Sequence, residues 1–421
     1  MKMQQKTKFK QTEIGLIPED WVLDTVENQC DIIMGQSPPS EYYTQNTGDL
    51  PFLQGIRTFC DLYPCFDTYC SSPKKIAAKG DILLSVRAPV GETNIAPREL
   101  CIGRGLASLR MKNQNNHFLL YLLRNFKNNL IAKGTGTVYS SVNKSTISNL
   151  RLPFPPLPEQ RAIAELLTSL DDKIELNRRM SATLEQIAQA IFKQWFIDFE
   201  FPDENGQPYK SSGGEMVESE LGEIPRGWEV KDIGDICKTF GGGTPKTKEP
   251  SYWEDGDIFW ATPTDMTSLK SPIIFDTSRK ITEEGLNKSS AKLLPIGSVL
   301  MTSRATLGYF AITKVPICTN QGFISMVCDG EVSNYYLLHT LKNKVELIEN
   351  LASGSTYLEI NKSSFRSISV IIPPSSLIEK FDNFVKLIYD KIYLYESESQ
   401  NLSLIRDELL PKLMSGKIRL L

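Results

Sequence analysis

Residues and motifs on which enzyme chemistry usually depends are scarce in this sequence. Its 421 residues include only two histidines, His117 and His339, and none of the common phosphate-loop, dinucleotide, zinc-protease or nucleophile-elbow motifs. The glycine-rich stretch at 241–246 is only superficially similar to a phosphate loop, because its lysine follows a proline. With so few histidines, histidine-dependent general base chemistry in both halves of the chain is excluded unless other residues take over. These absences favour a protein that binds over one that catalyses a reaction.

Cysteine pairs and long apolar runs are also missing. The eight cysteines include no Cys-x-x-Cys pair. The five-residue spacing of Cys60, Cys65 and Cys70 is not a zinc-ligand spacing, so we interpret them as reduced structural thiols. No stretch of about 18 apolar residues occurs, and residues 1–10 are polar and basic without the apolar core of a signal peptide. We therefore expect a cytoplasmic protein with no metal site.

Acidic residues are absent from one long stretch of a chain whose formal net charge is −3. From Leu100 through Pro158 there is no Asp or Glu, whereas eleven acids lie between Asp198 and Asp235. The acid-free stretch carries eight basic residues, Arg104, Arg110, Lys112, Arg124, Lys127, Lys133, Lys144 and Arg151. The range 285–328 is likewise free of acids. A basic surface of this kind suits a domain that follows phosphates, although a merely solvated basic face has the same composition.

What the sequence does contain is an amphipathic stretch long enough for one rod-like helix, from Leu157 to about Trp195. Apolar residues recur with coiled-coil spacing at Ile163, Leu167, Leu170, Ile174, Leu184, Ala188, Ile191 and Trp195, and only Asn177 and Ser181 interrupt this seam. Pro155-Pro156 marks the start, because proline cannot continue a helix backwards. About 38 residues form a rod on the order of 55 Å long, which needs a partner helix.

The same seam recurs 218 residues later. Its positions are Phe381, Val385, Ile388, Ile392, Tyr395, Ser399, Leu402, Arg406, Leu409 and Leu413. Pro373-Pro374 precedes it as Pro155-Pro156 precedes the first seam. Two unrelated amphipathic helices would not share both the heptad phase and the preceding prolines. The sequence therefore predicts a second long helix and an internal repeat.

The repeat extends to the regions before the two helices. The segment 13–21 (EIGLIPEDW) returns at 220–228 (ELGEIPRGW), and 79–87 (KGDILLSVR) matches 296–304 (IGSVLMTSR). Gly136-Thr-Val-Tyr139 with Asn143-Lys144 is echoed by Gly354-Ser-Thr-Tyr357 with Asn361-Lys362, just before each pair of prolines. The chain is thus a tandem duplication of a globular domain followed by a long helix.

Short mixed elements within each copy predict the α+β class. Residues 82–86 and 298–301 are β-like runs, whereas 118–130 and 335–351 have helical patterns. The predicted boundaries are 1–154 for the first globular domain, 155–198 for its helix, 199–220 for an exposed acidic connection, 221–372 for the second globular domain and 373–421 for its helix and the C-terminal tail.

Together these features resemble the specificity subunit of Type I restriction-modification enzymes. Besides the order of domains and helices, the resemblance rests on Gly-x-x-Pro-x-x-Trp openings at Gly15 and Gly222 and on the segments PLPEQ (156–160), FKQWFIDF (192–199) and LLPKLMSGKI (409–418). It covers essentially Glu13 to Leu421. Each motif alone is weak, but together with the duplication they are specific.

The resemblance implies a non-catalytic subunit that recognises a bipartite sequence in double-stranded DNA. In that family each globular domain is a target recognition domain for one half of the site, and the helices pack as an antiparallel coiled coil that relates the copies by a pseudo-twofold axis. The implied partners are two modification subunits, which methylate adenine with S-adenosylmethionine, and restriction subunits, which use ATP and Mg. No cofactor is expected in this chain.

Both copies contain a turn-rich loop, Gly35-Gln-Ser-Pro-Pro39 in the first and Gly241-Gly-Gly-Thr-Pro245 in the second. Candidate DNA-binding residues can be proposed by residue type and by position on such repeated Gly/Pro loops. They are Gln36, Ser37, Arg57, Arg87, Arg104, Lys133, Thr135, Tyr139 and Lys144 in the first copy, and Thr244, Lys246, Thr264, Arg304, Gln321, Tyr357 and Lys362 in the second. Arg and Lys suit guanine edges or phosphates, whereas Gln suits adenine. The matched Arg87 and Arg304 suit a contact common to both halves, such as phosphate, because base-reading residues should differ between copies. Each candidate has the alternative role of a turn residue that supports the fold.

Two other classes of protein are compatible with parts of the pattern. One is a stand-alone DNA-binding regulator with two domains on a coiled-coil strut, and the other is a coiled-coil scaffold that binds no DNA. The acid-free stretch argues against the scaffold. The duplication within one chain argues against the regulator, which would more simply use a homodimer.

Overall fold

The computed structural model describes residues 7–132, 141–328, 330, 332–354 and 358–420. The chain forms two compact units, Met1–Leu176 with Ser399–Leu421 and Asn177–Glu398. The two long helices, Leu157–Phe192 and Ser375–Met414, both cross this division. Each unit therefore contains one end of each long helix.

Two β-sheets form the framework of the first unit. One is an antiparallel sheet of Thr93–Ile95, Ile82–Ser85, Leu106–Met111 and Cys30–Met34, and the other is a mixed sheet of Tyr43–Thr44, Tyr69–Cys70, Leu50–Leu53, Leu100–Ile102 and Ile76–Ala77. Two antiparallel pairs, Phe9–Thr12 with Gly15–Pro18 and Val22–Thr25 with Arg151–Phe154, complete the strands. The shorter helices are Val26–Gln29, Asn116–Asn125, Lys127–Ala132 and Lys144–Ser148, with 3-10 turns at Ser40–Tyr42 and Ile56–Thr58.

The second unit repeats this arrangement with different strand lengths. Its larger sheet has the order Lys238–Gly241, Phe323–Val327, Val299–Thr302, Phe310–Thr313 and Ile273–Ile274, and its smaller sheet has Lys280–Ile281, Ile258–Ala261 and Ile317–Thr319. The strand pairs are Met216–Ser219 with Gly222–Pro225 and Glu229–Asp232 with Ser369–Ile372. The shorter helices are Ile233–Ile236, Pro263–Ser268, Glu283–Asn287, Asn334–Lys342, Val345–Leu351 and Lys362–Arg366, with a 3-10 turn at Pro250–Tyr252.

The central strand of each unit is buried on both faces, which explains its continuous apolar sequence. Side chains alternate across a strand, so Ile82 and Leu84 join one hydrophobic cluster while Leu83 joins another. In the second unit, Val299 and Met301 likewise join one hydrophobic cluster while Leu300 joins another. The predicted β-runs at 82–86 and 298–301 are therefore confirmed as strands, and each buried aliphatic side chain contributes about 1.5–3 kcal/mol.

The predicted long helices are confirmed. The first begins at Leu157, where the Pro156 carbonyl accepts hydrogen bonds from Glu159 and Gln160, and a π-helical turn at Lys193–Ile197 follows it. No predicted seam position is exposed, and even Asn177 and Ser181 have only 1% of their surface accessible. The seam sequence thus identified the buried stripe of both helices.

Within each unit the helix ends pack antiparallel. In the first unit, Asp171 on one helix forms an ion pair with Arg406 on the other, with Oδ1 and Nη1 2.6 Å apart. In the second unit, Asn177 donates from Nδ2 to Glu398 at 2.8 Å, and Phe192 packs on Phe381 with ring centroids 5.8 Å apart. The residue number rises along one helix as it falls along the other, which defines the antiparallel direction.

Two features differ from the sequence-based expectation. Each predicted helical stretch at 118–130 and 335–351 is a pair of consecutive helices. In the second unit the break follows Asn343, whose side-chain amide donates to the His339 carbonyl at 2.8 Å and so competes with continued helix. The structure also places a strand, Met216–Ser219, inside the range interpreted as an acidic connection.

Candidate nucleic-acid interface

In the first unit the loop Gly35–Pro39 lies against the turn Gly103–Gly105. The Ser37 hydroxyl accepts a hydrogen bond from the Arg104 backbone N–H at 3.2 Å. A Cβ added at Gly35 would lie 2.1 Å from the Gly103 carbonyl oxygen, so only glycine permits this approach. Gln36 and Arg104 are both exposed here. The repeated loop therefore brings three predicted DNA-binding residues to one edge of the unit.

Two further segments border the same edge. Val86 donates a backbone hydrogen bond to the Gly105 carbonyl at 2.9 Å, and its own carbonyl accepts one from Val142 at 3.0 Å. These bonds place the exposed Arg87 beside the turn that carries Arg104. Lys144 follows shortly after Val142, as the exposed first residue of a short helix whose N-terminus is capped by the side chain of Asn143.

The second unit assembles the corresponding edge from its own loops. The Thr244 hydroxyl donates to Gln321 Oε1 at 2.5 Å, and Gly243 donates a backbone bond to the Thr319 carbonyl at 2.9 Å. A Cβ added at Gly241 would lie 3.0 Å from the Lys362 ammonium nitrogen, so Lys362 reaches the same loop.

Arg304 and Thr264 border this second edge. The segment that contains Arg304 is joined to this edge by a hydrogen bond from the Ser303 backbone N–H to the Gly322 carbonyl at 2.8 Å. Arg304 also forms an exposed ion pair with Glu359 at 3.6 Å. Thr264 is exposed on the helix Pro263–Ser268, whose first residue lies next to Gly322. Lys246 is exposed just beyond Thr244.

Four predicted residues cannot be placed in the same way, and Arg57, like Arg304, is already paired with a carboxylate. Lys133, Thr135 and Tyr139 in the first copy and Tyr357 in the second lie outside the described residues. Arg57 is exposed but forms an ion pair with Asp67 at 2.6 Å, and its hydrogen bonds hold the pKa of the Asp67 carboxyl below the ordinary value. Arg57 would have to exchange this carboxylate for any phosphate or base.

Several cations of the acid-free stretch are paired with other parts of the chain. Acids from other segments pair with its cations: Arg110 with Asp81, Arg124 with Asp171, Lys127 with Glu92 and Arg151 with Glu13. Lys112 donates instead to the carbonyls of Glu27 and Asn28. Sequence composition could not reveal these partners, because each lies far away in the chain. Of the eight cations, Arg104 and Lys144 are the ones that the structure places at the loop edge.

Sequence reasoning missed a cation that is stacked on one tryptophan of the second unit and lies beside another. The Arg279 guanidinium lies 3.6 Å from the ring centroid of Trp253 and 5.6 Å from that of Trp260. Both indoles are hydrogen-bonded to the glycine-rich stretch at 241–246. Trp260 donates from Nε1 to the Gly243 carbonyl at 2.9 Å, and Trp253 donates to the Lys246 carbonyl at 3.1 Å. The sequence feature that could have revealed this group is the presence of two tryptophans in the second copy where the first copy has none.

Among the described residues, no group of three or more His, Cys, Asp and Glu side chains is arranged to hold a metal ion. In the same part of the chain, no helix combines the length and the apolar composition needed to cross a membrane.

Comparison with known proteins agrees with this duplicated architecture. The family model described as the Type I restriction modification DNA specificity domain matches twice, at residues 18–186 and 225–389. The MjaIX specificity subunit of Methanocaldococcus jannaschii is 29% identical over 100% of this chain and 98% of its own length. The HindI specificity subunit of Haemophilus influenzae is 31% identical over 69% of this chain and 73% of its own length. A crystal structure of a Type I S subunit from M. genitalium shares the fold, with a TM-score of 0.61, 17% identity and 98% of each chain covered.

The duplicated fold and the match of the family model define a duplicated DNA target-recognition protein. The two matches of the family model together cover most of the chain. The chain belongs to the Type I restriction-modification specificity subunits, which act with modification and restriction subunits on DNA.

Proposed function

We propose that this chain selects a bipartite DNA sequence, each unit contacting one half of it, and performs no chemistry itself. The observation that carries the proposal is the repeated loop edge. The first unit presents Gln36, Arg87 and Arg104 there, and the second presents Gln321 and Arg304. Guanidinium and amide groups are the side chains that hydrogen-bond to base edges and phosphates.

The chemistry of the enzyme belongs, in this proposal, to partner subunits. Two modification subunits would bind this chain and methylate adenine with S-adenosylmethionine, and restriction subunits would supply cleavage with ATP and Mg. The chain itself offers two histidines, of which His339 is fully buried and His117 is exposed on a helix. Neither lies among the loop residues that form the two edges.

The test is to assemble the full chain with its modification subunit and S-adenosylmethionine and to sequence the methylated adenines. We expect a split target from the complex and no methyl transfer or cleavage by the chain alone. Replacing residues 22–152 by those of a relative should change one half of the target and leave the other half intact. Methylation by the isolated chain, or a change in both halves after this single exchange, would contradict the proposal.

A further inference from the structure

Arg279 is an exposed cation of the second unit whose side chain is held by two tryptophan rings. Its planar guanidinium is stacked on Trp253 at 3.6 Å, with Trp260 beside it. The two indole rings support each other in an edge-to-face contact at 5.0 Å, and the Arg279 carbonyl accepts the Trp260 backbone N–H at 3.2 Å. The Trp253 ring covers one face of the guanidinium and leaves the N–H groups on its edge available.

The edge of this guanidinium has no hydrogen-bond acceptor within the described part of the chain. Arg279 enters the structure's hydrogen bonds through its carbonyl, which accepts from Trp260 N–H and from the Thr277 hydroxyl. A side chain that is oriented but not hydrogen-bonded is prepared for a ligand, because little rotamer entropy remains to be lost on binding. Its tryptophan supports are bonded to the carbonyls of Gly243 and Lys246, so the group belongs to the candidate loop edge.

Among its described residues, the first unit has no equivalent of this group. Trp260 pairs in parallel register with Cys318, and the matching pair in the first unit is Phe52 with Cys101. Phe52 packs on Tyr43 with ring centroids 4.8 Å apart, and no cation lies over it among the described residues. A residue that contacts the uniform phosphate backbone is expected in both copies, as Arg87 and Arg304 are. A base-reading residue should occur in one copy only.

We propose that Arg279 determines specificity in the second half of the DNA target by reading one guanine. This inference rests on the proposed function and deepens it. A guanidinium fixed in orientation can donate two parallel hydrogen bonds to O6 and N7 of guanine in the major groove. A phosphate contact would gain less from a fixed plane, since phosphate accepts hydrogen bonds from many directions.

The experiment compares methylation by complexes containing the wild-type chain, Arg279→Ala and Arg279→Lys, across a library of targets randomised in both halves. We expect both variants to lose about 5-fold to 150-fold of the preference for guanine at one position of the second half. The lysine variant keeps the charge but not the two-pronged donor, so it separates base reading from phosphate binding. Trp253→Leu should reduce preference at the same position, because it removes the stacking support.

Arg226→Ala is the matched control, because Arg226 is an exposed arginine of the same unit that pairs with Glu215. It should leave the target unchanged. Equal weakening on all sequences by Arg279→Ala, with recovery in Arg279→Lys, would show a phosphate contact and overturn the inference. An unchanged target in both variants would overturn it as well. If the wild-type and Arg226→Ala complexes already lacked a defined target, the proposed function itself would fail, which is a distinguishable result.

Discussion

Individual buried side chains differ between the two units even where the backbone is repeated. In the first unit Tyr121 donates to Asp171 at 2.8 Å, and Asp171 also pairs with Arg406. At the positions 218 residues after Tyr121 and Asp171, the second unit has His339 and Tyr389, whose Nε2 and Oη atoms are 3.2 Å apart. The same junction between helix and domain is therefore stabilised by charges in one unit and by aromatic rings in the other.

His339 gives the second unit a predictable dependence on pH. Burial lowers its pKa to about 3, with Lys342 adding a smaller effect. In the unfolded chain the imidazole takes up a proton near its ordinary pKa of about 6.5. Below that pH the unfolded state binds a proton that the folded state does not, so stability falls as the pH falls from about 6.5 toward 3. We expect His339 to account for about 1.4 kcal/mol of lost stability between pH 7.5 and 5.5.

Urea unfolding followed by tryptophan fluorescence measures this effect in the appropriate unit. Four of the five tryptophans, Trp195, Trp228, Trp253 and Trp260, belong to the second unit. His339→Gln should reduce the loss over this pH range by about 1.4 kcal/mol relative to wild type. The exposed His117 provides the control, and His117→Gln should behave as wild type does. An equal pH dependence in all three proteins would rule out the assigned role.

At the scale of elements, the segment after the second long helix closes the first unit through a buried charge cluster. Arg419 donates to both carboxylate oxygens of Glu159, at 2.6 and 2.8 Å, and also to Asp20. Trp21 donates to Glu159 from Nε1 at 3.0 Å, and Glu159 is only 1% exposed. The equivalent place in the second unit is apolar, because Phe201 stacks on Trp228 at 5.3 Å and Leu377 stands where Glu159 stood.

This contrast predicts a compensating pair of substitutions. Arg419→Phe alone should destabilise the first unit by about 3–5 kcal/mol, because it leaves the buried Glu159 carboxylate without its charged partner. Adding Glu159→Leu should recover most of that loss, since the pair then reproduces the solution found in the second unit. Hydrogen exchange of the strands Ile82–Ser85 and Leu106–Met111 measures the stability of this unit. A double variant no more stable than Arg419→Phe would show that the two units do not use interchangeable packing.

Elements with a strong period were predictable from the sequence, and partnerships between distant side chains were not. The seam from Ile163 to Trp195 identified both the long helix and its buried face, since burial repeats with the helical turn. The breaks inside the shorter helices were missed because one side-chain amide, that of Asn343, decides the second of them locally. At the candidate interface, the repeated glycines located the loops, but the stack of Arg279 on Trp253 joins residues from separate segments.

At the scale of the whole molecule, the first long helix is one of two helices that cross the division between the two units. It runs from Leu157 to Phe192, and the division between the units falls after Leu176. The polar seam residues Asn177 and Ser181 follow at once and are buried, with Asn177 bonded to Glu398. A buried polar residue at a seam position, such as Asn177, fixes helix register in coiled coils. The register of this helix is therefore fixed close to the division between the two units.

A change in the length of this helix should change the gap between the two halves of the DNA target. Inserting four residues near Asn177 adds about 6 Å of helix and a net rotation of about 40°. One base pair adds about 3.4 Å and roughly 35° of rotation. The rotation of the helix thus matches one extra base pair in the gap, whereas its added length matches nearly two. We expect one, because a unit turned to the wrong face of the duplex loses all its base contacts.

The insertion keeps the apolar seam largely in phase, since four added residues form a stutter that locally unwinds a coiled coil. It touches none of the loops that carry Gln36, Arg104, Gln321 or Arg279, so the bases recognised in each half should stay the same. Sequencing the sites methylated by the complex with the insertion variant measures gap and bases together. An insertion of four alanines into the acidic segment near Asn205, outside both long helices, serves as the control and should leave the gap unchanged. An unaltered gap in the helix variant, or altered bases in either half, would mean that this helix does not set the spacing of the target.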